Sequence, residues 1–455
     1  MRQSSLRTLS RKILNRDITV ESLVSGALER ARASDSVFTA LDDRVLEEAR
    51  LADQRLDRDR TGPVLSGIPI TLKDLFDICG EPTLAGSVVL KRHARPARSD
   101  CKVLKPLRKA GFLFLGRTNM SEFAFSGLGM NPHYGTPRSI WDRSSARVAG
   151  GSSSGSAVSV AEGIVPVSMG TDTAGSCRIP AAFNAVVGVK PSHGRFSLQG
   201  VYPLSHSSDA PGPIGIDVDS CFIVDRLISG EWDGHGRIPA LKSANVGGLR
   251  LMVPQSVVLE DLDPEVEACF ERAVAGLADA GATVERRPAP VINECVDLFM
   301  NRAIAGYEAY QLHRDMMEEH GDEYDPNVYS RILAYKDITR DEQEARYAAQ
   351  LALKRSFADT MHQGAFDAMI CPTVACVPPK ISDAQIETST RRINLKCLRN
   401  TVTANNFDGC SLTVPCHDTG RAPVGLMVSS VHGDDRRLYE IGAAVESTLD
   451  RIRAR

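Results

Sequence analysis

The residues of this chain best suited to chemistry are a lysine that ends an apolar strand pattern and serines set in two glycine-rich blocks. The lysine closes Gly67-Ile-Pro-Ile-Thr-Leu-Lys73. The first serine block is Ala149-Gly-Gly-Ser152-Ser153-Ser-Gly-Ser-Ala157, and the second is Gly170-Thr-Asp172-Thr173-Ala174-Gly175-Ser176-Cys-Arg178. Glycine and serine at this density permit conformations that other residues resist, and they let backbone N–H groups approach a ligand closely. One such block alone leaves a flexible loop as the lesser alternative. Two blocks whose serines 152 and 176 lie 24 positions apart, with a strand-ending lysine upstream, read as a site. Gly151-Ser-Ser-Ser-Gly155 formally fits the GxSxG elbow, but that elbow follows a hydrophobic strand, and Trp141-Asp-Arg-Ser-Ser-Ala-Arg147 is not one. A phosphate-binding loop would need GKS or GKT after its glycines, which is missing.

The flanking pattern supplies the elements that must position these residues. Asp17–Arg30 and Leu46–Leu56 carry amphipathic helical spacing. In the segment ending at Lys73, Ile68, Ile70 and Leu72 alternate, as in a strand that leaves Lys73 on the opposite side. A basic helix over Lys102–Ala110 leads to the apolar strand Phe112–Leu115. Residues 126–156 turn rich in Gly, Ser, Pro and Asn. Beyond them, Leu249–Val253 is strand-like, and Asp263-Pro264 opens a helix with proline at an early position, closed by Gly281. Strand pattern resumes at Thr283-Val284. A long charged helix over Arg340–Gln363 precedes the buried strand Phe366–Ile370. Such alternation predicts an α/β architecture, a sheet covered by helices.

Composition narrows the function classes. The 455 residues are 42% hydrophobic and 24% charged, with a formal net charge of −3. That balance gives no electrostatic reason for nucleic acid binding. No apolar run approaches the ~20 residues of a membrane span, and the basic N-terminal stretch lacks a secretion signal's apolar core. The chain is expected to be cytoplasmic. Its 11 cysteines are scattered without a CxxC pair, and its 10 histidines without HExxH, so reduced core thiols and no metal or cofactor are expected.

Three ordered motifs resemble the amidase signature enzymes: Gly67-Ile-Pro-Ile-Thr-Leu-Lys73-Asp74, Gly150-Gly-Ser152-Ser153, and Asp172-Thr-Ala-Gly-Ser176-Cys-Arg178. Supporting likeness extends through Gly116–Ala124, Val187–Gly194, Cys371-Pro-Thr373 and Pro423-Val-Gly-Leu426. The resemblance implies a single amidase domain over 1–455, with a large mixed β-sheet covered by helices on both sides. The core would span about 60–240 and 365–445, with a helical excursion at about 285–360. It further implies that Ser176 is the nucleophile, Lys73 a neutral base and Ser152, after a cis peptide, the bridge between them. The N–H groups of Thr173, Ala174, Gly175 and Ser176 would form an oxyanion hole, with Ser153, Asp172 and Arg178 holding the loop. For Arg178, a structural ion pair with a nearby carboxylate is the stronger expectation. Ala174 replaces a more usual glycine, and Cys177 a more usual aliphatic residue; the latter is read as a core residue.

The implied activity is hydrolysis of a small carboxamide to carboxylate plus ammonia or amine through an acyl-enzyme. The implied partner is a small-molecule amide; no nucleic acid or membrane is expected, and a homodimer is allowed. The serine block and Pro180-Ala-Ala-Phe-Asn184 look closest to allophanate hydrolases. An alternative is the glutaminase subunit of a tRNA-dependent amidotransferase, from which Asn405-Asn-Phe-Asp-Gly-Cys410 diverges. A catalytically silent scaffold is disfavoured because all three chemical residues are present. Selectivity is expected within 295–335, where Tyr307, Tyr310, His313, Tyr329 and Arg331 either line a pocket, with Arg331 toward a carboxylate, or form an ordinary helical cover.

Overall fold

The computed structural model describes residues 4–58, 62–301 and 303–453. Eleven strands form one sheet. In chain order they are β1 (Phe38–Leu41), β2 (Pro69–Lys73), β3 (Leu113–Thr118), β4 (Val167–Asp172), β5 (Val187–Lys190), β6 (Ala210–Gly215), β7 (Arg250–Gln255), β8 (Thr283–Pro288), β9 (Ala368–Pro372), β10 (Ser411–Pro415) and β11 (Gly425–Ser429). Their spatial order is β1-β3-β2-β4-β6-β5-β10-β11-β9-β7-β8. β2 runs parallel to β3 and β4, and β7 parallel to β8 and β9, while the other pairings are antiparallel. The sheet is therefore mixed, as the family resemblance implies.

Both faces are buried, and the pleat shows it. Leu251 and Val253 of β7, Ile370 of β9, and Leu426 and Val428 of β11 pack with helices Pro264–Asp279 and Asp435–Arg453. The residues between them, Met252, Met369 and Met427, pack with helices Pro290–Met300 and Arg340–Gln363 on the other side. Successive side chains of a strand point to opposite faces, so two distinct apolar clusters require two helical layers. The same rule explains why β2, with all five residues buried, can carry Lys73 inside.

Predicted elements fall close to their places. Helices occupy Val20–Ala33, Val45–Arg58, Leu104–Lys109, Pro264–Asp279 and Arg340–Gln363. The last is opened by a Thr339/Glu342 capping box. One boundary differs: β8 continues to Pro288, so the helical excursion starts at Pro290. As an edge strand with partly exposed residues it lacks the apolar run that marks a buried strand. β6 was not legible, because Pro211 and Pro213 argue against an interior strand. Both prolines have the same parity, and β5 pairs with β6 only at Ile214 and Gly215, so neither missing N–H is needed there. Among the described residues no helix is long and apolar enough to cross a membrane.

The first serine block is ordered rather than flexible. It runs into helix Ser154–Ala161, whose first seven residues are all buried. Every hydroxyl on it is satisfied: Ser156 pairs with Thr118 at 2.7 Å, Ser159 with Thr71 at 2.9 Å, and Ser154 donates to Asn119 O at 3.3 Å. Small side chains let this helix lie against backbone; a Cβ on Gly155 would meet Val37 O at 2.3 Å and Asn119 N at 2.8 Å. Gly155→Ala should therefore destabilise the fold by about 1–3 kcal/mol in urea unfolding. Gly248→Ala, with nothing within 4 Å of its Cβ, should change stability by less than about 0.5 kcal/mol. Equal effects at the two sites would contradict this close approach.

Candidate active site

β2 and β4 are parallel neighbours, paired through Thr71↔Ser168 and Leu72↔Met169. Their carboxyl ends therefore deliver Lys73 and the Thr171-Asp172 pair to the same edge of the core. Lys73 is fully buried, with Nζ 2.8 Å from Ser152 Oγ and 2.9 Å from Thr171 Oγ1. No carboxylate hydrogen-bonds it among the described residues. The adjacent Asp74 instead faces Arg117, 3.4 Å away, and burial raises its carboxyl to about 6 despite that guanidinium.

Burial is the main influence on Lys73 and pulls its ammonium down to about 8. The opposing influences are weaker: the Cys177 side chain, Asp209 and Asp172. Cys177 lies in the core, its Sγ–H directed at Gly212 O at 3.6 Å, and burial pushes its pKa up, so it stays a neutral thiol. The Asp172 charge is already committed elsewhere.

That commitment builds the second block. Burial would raise Asp172, but the Arg178 guanidinium overrides it and holds the carboxyl well below the usual carboxylate range. Arg178 Nε and Nη2 donate to Asp172 Oδ2 and Oδ1 at 3.0 and 2.9 Å, with both side chains fully buried. Asn405 Nδ2 donates to the same carboxylate at 3.0 Å, and Arg178 also donates to Asn405 Oδ1 and Thr401 O at 2.7 and 2.9 Å. Asp172 further accepts the N–H groups of Gly175 and Cys177 at 2.8 and 3.1 Å, which folds residues 172–178 into a tight turn. The expected structural ion pair of Arg178 is thus present.

The turn leaves a defined set of donors. The N–H groups of Thr173, Ala174 and Ser176 donate to nothing among the described residues. Gly175 differs from the expectation: its N–H is taken by Asp172, so its contribution is space. At φ +126° a Cβ there would meet Thr401 Oγ1 at 2.2 Å. Ala174 is half-buried, its extra methyl accommodated, and its carbonyl accepts Thr401 Oγ1–H at 2.7 Å. Thr173 is fixed by donating to Asp209 Oδ1 at 2.6 Å.

The two blocks meet through main chain, Ser153 N–H donating to Ser176 O at 3.2 Å, while Ser153 Oγ donates to Thr171 O at 3.3 Å. The Gly151–Ser152 peptide is cis. Lys73 and Ser152 are in direct contact; Ser176 is joined to the first block through its carbonyl, its Oγ is unpartnered among the described residues, and the residue is 4% exposed. Lys73 and Ser152, by contrast, have no exposure at all, so Ser176 is the member of the three that reaches solvent. Two grooves of about 440 and 550 Å³ lie elsewhere, lined by none of these residues.

Four contributors were not legible in sequence: Thr171, Asp209, Thr401 and Asn405. Thr171 lies inside the named block but is not singled out there; the other three come from distant segments without a local signal. Of the expected selectivity residues, His313 is core: it packs edge-on against Phe123 at 4.4 Å, and burial pushes it down to about 4. Arg331 Nη1 donates to Phe125 O at 3.3 Å, the only hydrogen bond of its side chain among the described residues.

A fully buried lysine amine on a serine hydroxyl, near a second serine on a turn with unpaired N–H groups, is an arrangement able to perform serine-type acyl transfer. The amidase family pattern matches residues 22–439, and the chain belongs to the amidase signature family, hydrolases acting on C–N bonds. It is 34% identical over 411 residues to the 2-amino-5-chloromuconic acid deaminase of Comamonas testosteroni, covering 89% of this chain and 87% of that protein. It is 31% identical to one of the subunits of the glutamyl-tRNA(Gln) amidotransferase of Symbiobacterium thermophilum, covering 99% and 98% of the two chains. A solved amidase superposes with a TM-score of 0.86 at 31% identity over 98% of this chain and 99% of that one. Allophanate hydrolase of Kluyveromyces lactis, at 23% identity and TM-score 0.83 over 98% of this chain and 73% of that one, shares the fold.

Removing the Asp172 charge would leave Arg178 buried and unpaired. Asp172→Asn should cost about 3–5 kcal/mol in denaturant unfolding, and adding Arg178→Met should recover part of it. A loss below about 1 kcal/mol would contradict the role of this pair in holding the turn.

Proposed function

We propose that this protein hydrolyses a small carboxamide through an acyl-enzyme on Ser176, with Ser152 and Lys73 as the proton relay. The observation that carries the reading is the 2.8 Å approach of a fully buried, carboxylate-free Lys73 Nζ to Ser152 Oγ, one residue from the segment bonded to Ser176. A neutral lysine has one lone pair, which takes the Ser152 proton, while an N–H reaches Thr171 Oγ1. The relay is complete when Ser176 Oγ comes within hydrogen-bond reach of Ser152 Oγ; such contacts are commonly loose before substrate binds.

Ser176 Oγ then bonds to the amide carbon, and its proton passes to Ser152 as the Ser152 proton passes to Lys73. The oxyanion forms against the free N–H groups of Thr173, Ala174 and Ser176, one such donor being worth ~10²–10³ in rate. The C–N bond breaks as the proton returns through Ser152 to the leaving nitrogen. Water, deprotonated along the same path, releases the carboxylate and restores Ser176.

On the substrate side, the narrow exposure of Ser176 suits a compact acyl group. Arg331, with most of its donor capacity unused, suits a carboxylate on that group. It binds the Phe125 carbonyl on the segment whose Gly127 C=O accepts the Gly151 N–H, and the Comamonas relative is named for an acidic substrate. The allophanate-like motif blocks fit the same acidic class. A second reading, the glutaminase subunit of a tRNA-dependent amidotransferase, is supported by the likeness to the Symbiobacterium protein, which covers 99% of the chain.

Ammonia release over a panel of aliphatic, aromatic, dicarboxylic-monoamide and urea-derived amides, with glutamine included, separates the two. Rapid turnover of a small amide by the isolated chain is expected; activity on glutamine alone, appearing only with partner subunits, would favour the second reading. Ser176→Ala should lower kcat by at least about 10⁴-fold with the fold intact, and a fluorophosphonate should label Ser176. Labelling at Ser153 instead would overturn the assignment. Because Lys73 must be neutral to act, kcat/KM should rise with pH through a limb near 8 and level above it. A rate independent of pH from about 6 to 10 would contradict lysine as base.

A further inference from the structure

We propose that His93, His320 and Glu323 form a binding site for one divalent transition-metal ion of the zinc class, tying the helical excursion to the core. The histidines are far apart in sequence, and the fold brings them together. His93 ends helix Val88–His93, His320 ends helix Ile304–His320, and Glu323 lies in the turn that follows. Their ligand atoms all fall within 4.8 Å of one another, and the two imidazoles stack with centroids 4.2 Å apart and planes at 18°.

The spacing suits an ion better than direct bonding. His320 Nδ1 is 3.8 Å from Glu323 Oε1, beyond hydrogen-bond reach. Two ligands at ~2.0–2.1 Å from a tetrahedral zinc stand roughly 3.3–3.5 Å apart, so the set reaches coordination once the stacked rings close slightly and turn to bring their in-plane lone pairs onto one point. Two imidazoles with one carboxylate select zinc, copper, nickel or cobalt over magnesium or calcium. Three protein ligands leave the fourth position to water.

Charge around the cluster is divided. Glu319 Oε2 lies 3.8 Å from His320 Nε2 and adds a second carboxylate. Against it, Arg92 Nη1 pairs with Glu323 Oε2 at 2.7 Å, and Lys91 is in the same helical turn. Arg92 offsets the Glu323 charge that a bound ion would use, which makes its removal informative. The tethered helix also carries Glu308, which accepts Ser205 Oγ–H and the Ser207 N–H, while Ser205 N–H donates to Asp209 at 3.0 Å. Asp209 in turn holds Thr173. An ion at the cluster would steady that chain of contacts from its outer end.

The test uses the full chain carrying Cys79→Ser, since Cys79 is the exposed thiol among the described residues. Zinc titration by calorimetry should give one ion per chain, and the melting temperature should rise with zinc concentration. His93→Ala and His320→Ala should each weaken binding by at least about tenfold, and Arg92→Ala should strengthen it. Cobalt should show visible d–d bands that the double histidine variant lacks. Circular dichroism checks that each variant is folded; should a histidine variant unfold, the Arg92→Ala comparison still decides. No saturable binding, unchanged binding in the double variant, or weaker binding in Arg92→Ala would overturn the site.

Discussion

Lys73 places an amine at zero exposure between two hydroxyls, and no carboxylate among the described residues stands within hydrogen-bond distance of it. An isolated ammonium is costly to bury, so the protein relieves that cost by favouring the neutral form. The surrounding architecture preserves this condition. Asp74, next in sequence, is turned to Arg117, and Asp172, the strongest nearby acid, is held by Arg178 and Asn405. Were either carboxylate free to reach Nζ, the amine would be charged and useless as a base.

The same economy of charge shapes the turn that carries Ser176. Asp172 accepts three of its N–H groups and leaves three unpaired among the described residues, so one buried ion pair both neutralises a charge near Lys73 and sorts the backbone donors of the turn. Thr401 and Asn405 extend the pair to a segment more than two hundred residues away. On the other side, a helix made of serine, glycine, alanine and valine follows Ser152 and lies close against the backbone of Val37 and Asn119.

How much of this is written locally follows from that arrangement. Strand β2, its terminal lysine and both serine blocks are contiguous, so periodicity and composition expose them. The helix Arg340–Gln363 carries its own capping box and is legible to the residue. Asp209, Thr401 and Asn405 act only across the fold, and nothing in their neighbours distinguishes them from ordinary polar residues. The fate of the Gly175 N–H depends on which way Asp172 turns, a choice made by Arg178 in space rather than by the block's spelling. β6, with two prolines, is an interior strand only because β5 pairs with it so briefly.

The central claim is therefore a protonation state, and it can be observed without turnover. Protein labelled at lysine ¹³Cε, with the Lys73 resonance assigned through Lys73→Arg, would be titrated by NMR. The account predicts a Lys73 midpoint near 8, well below a lysine's ordinary 10.5. A midpoint at or above that ordinary value would mean the amine is charged at neutral pH, and the relay through Ser152 could not operate.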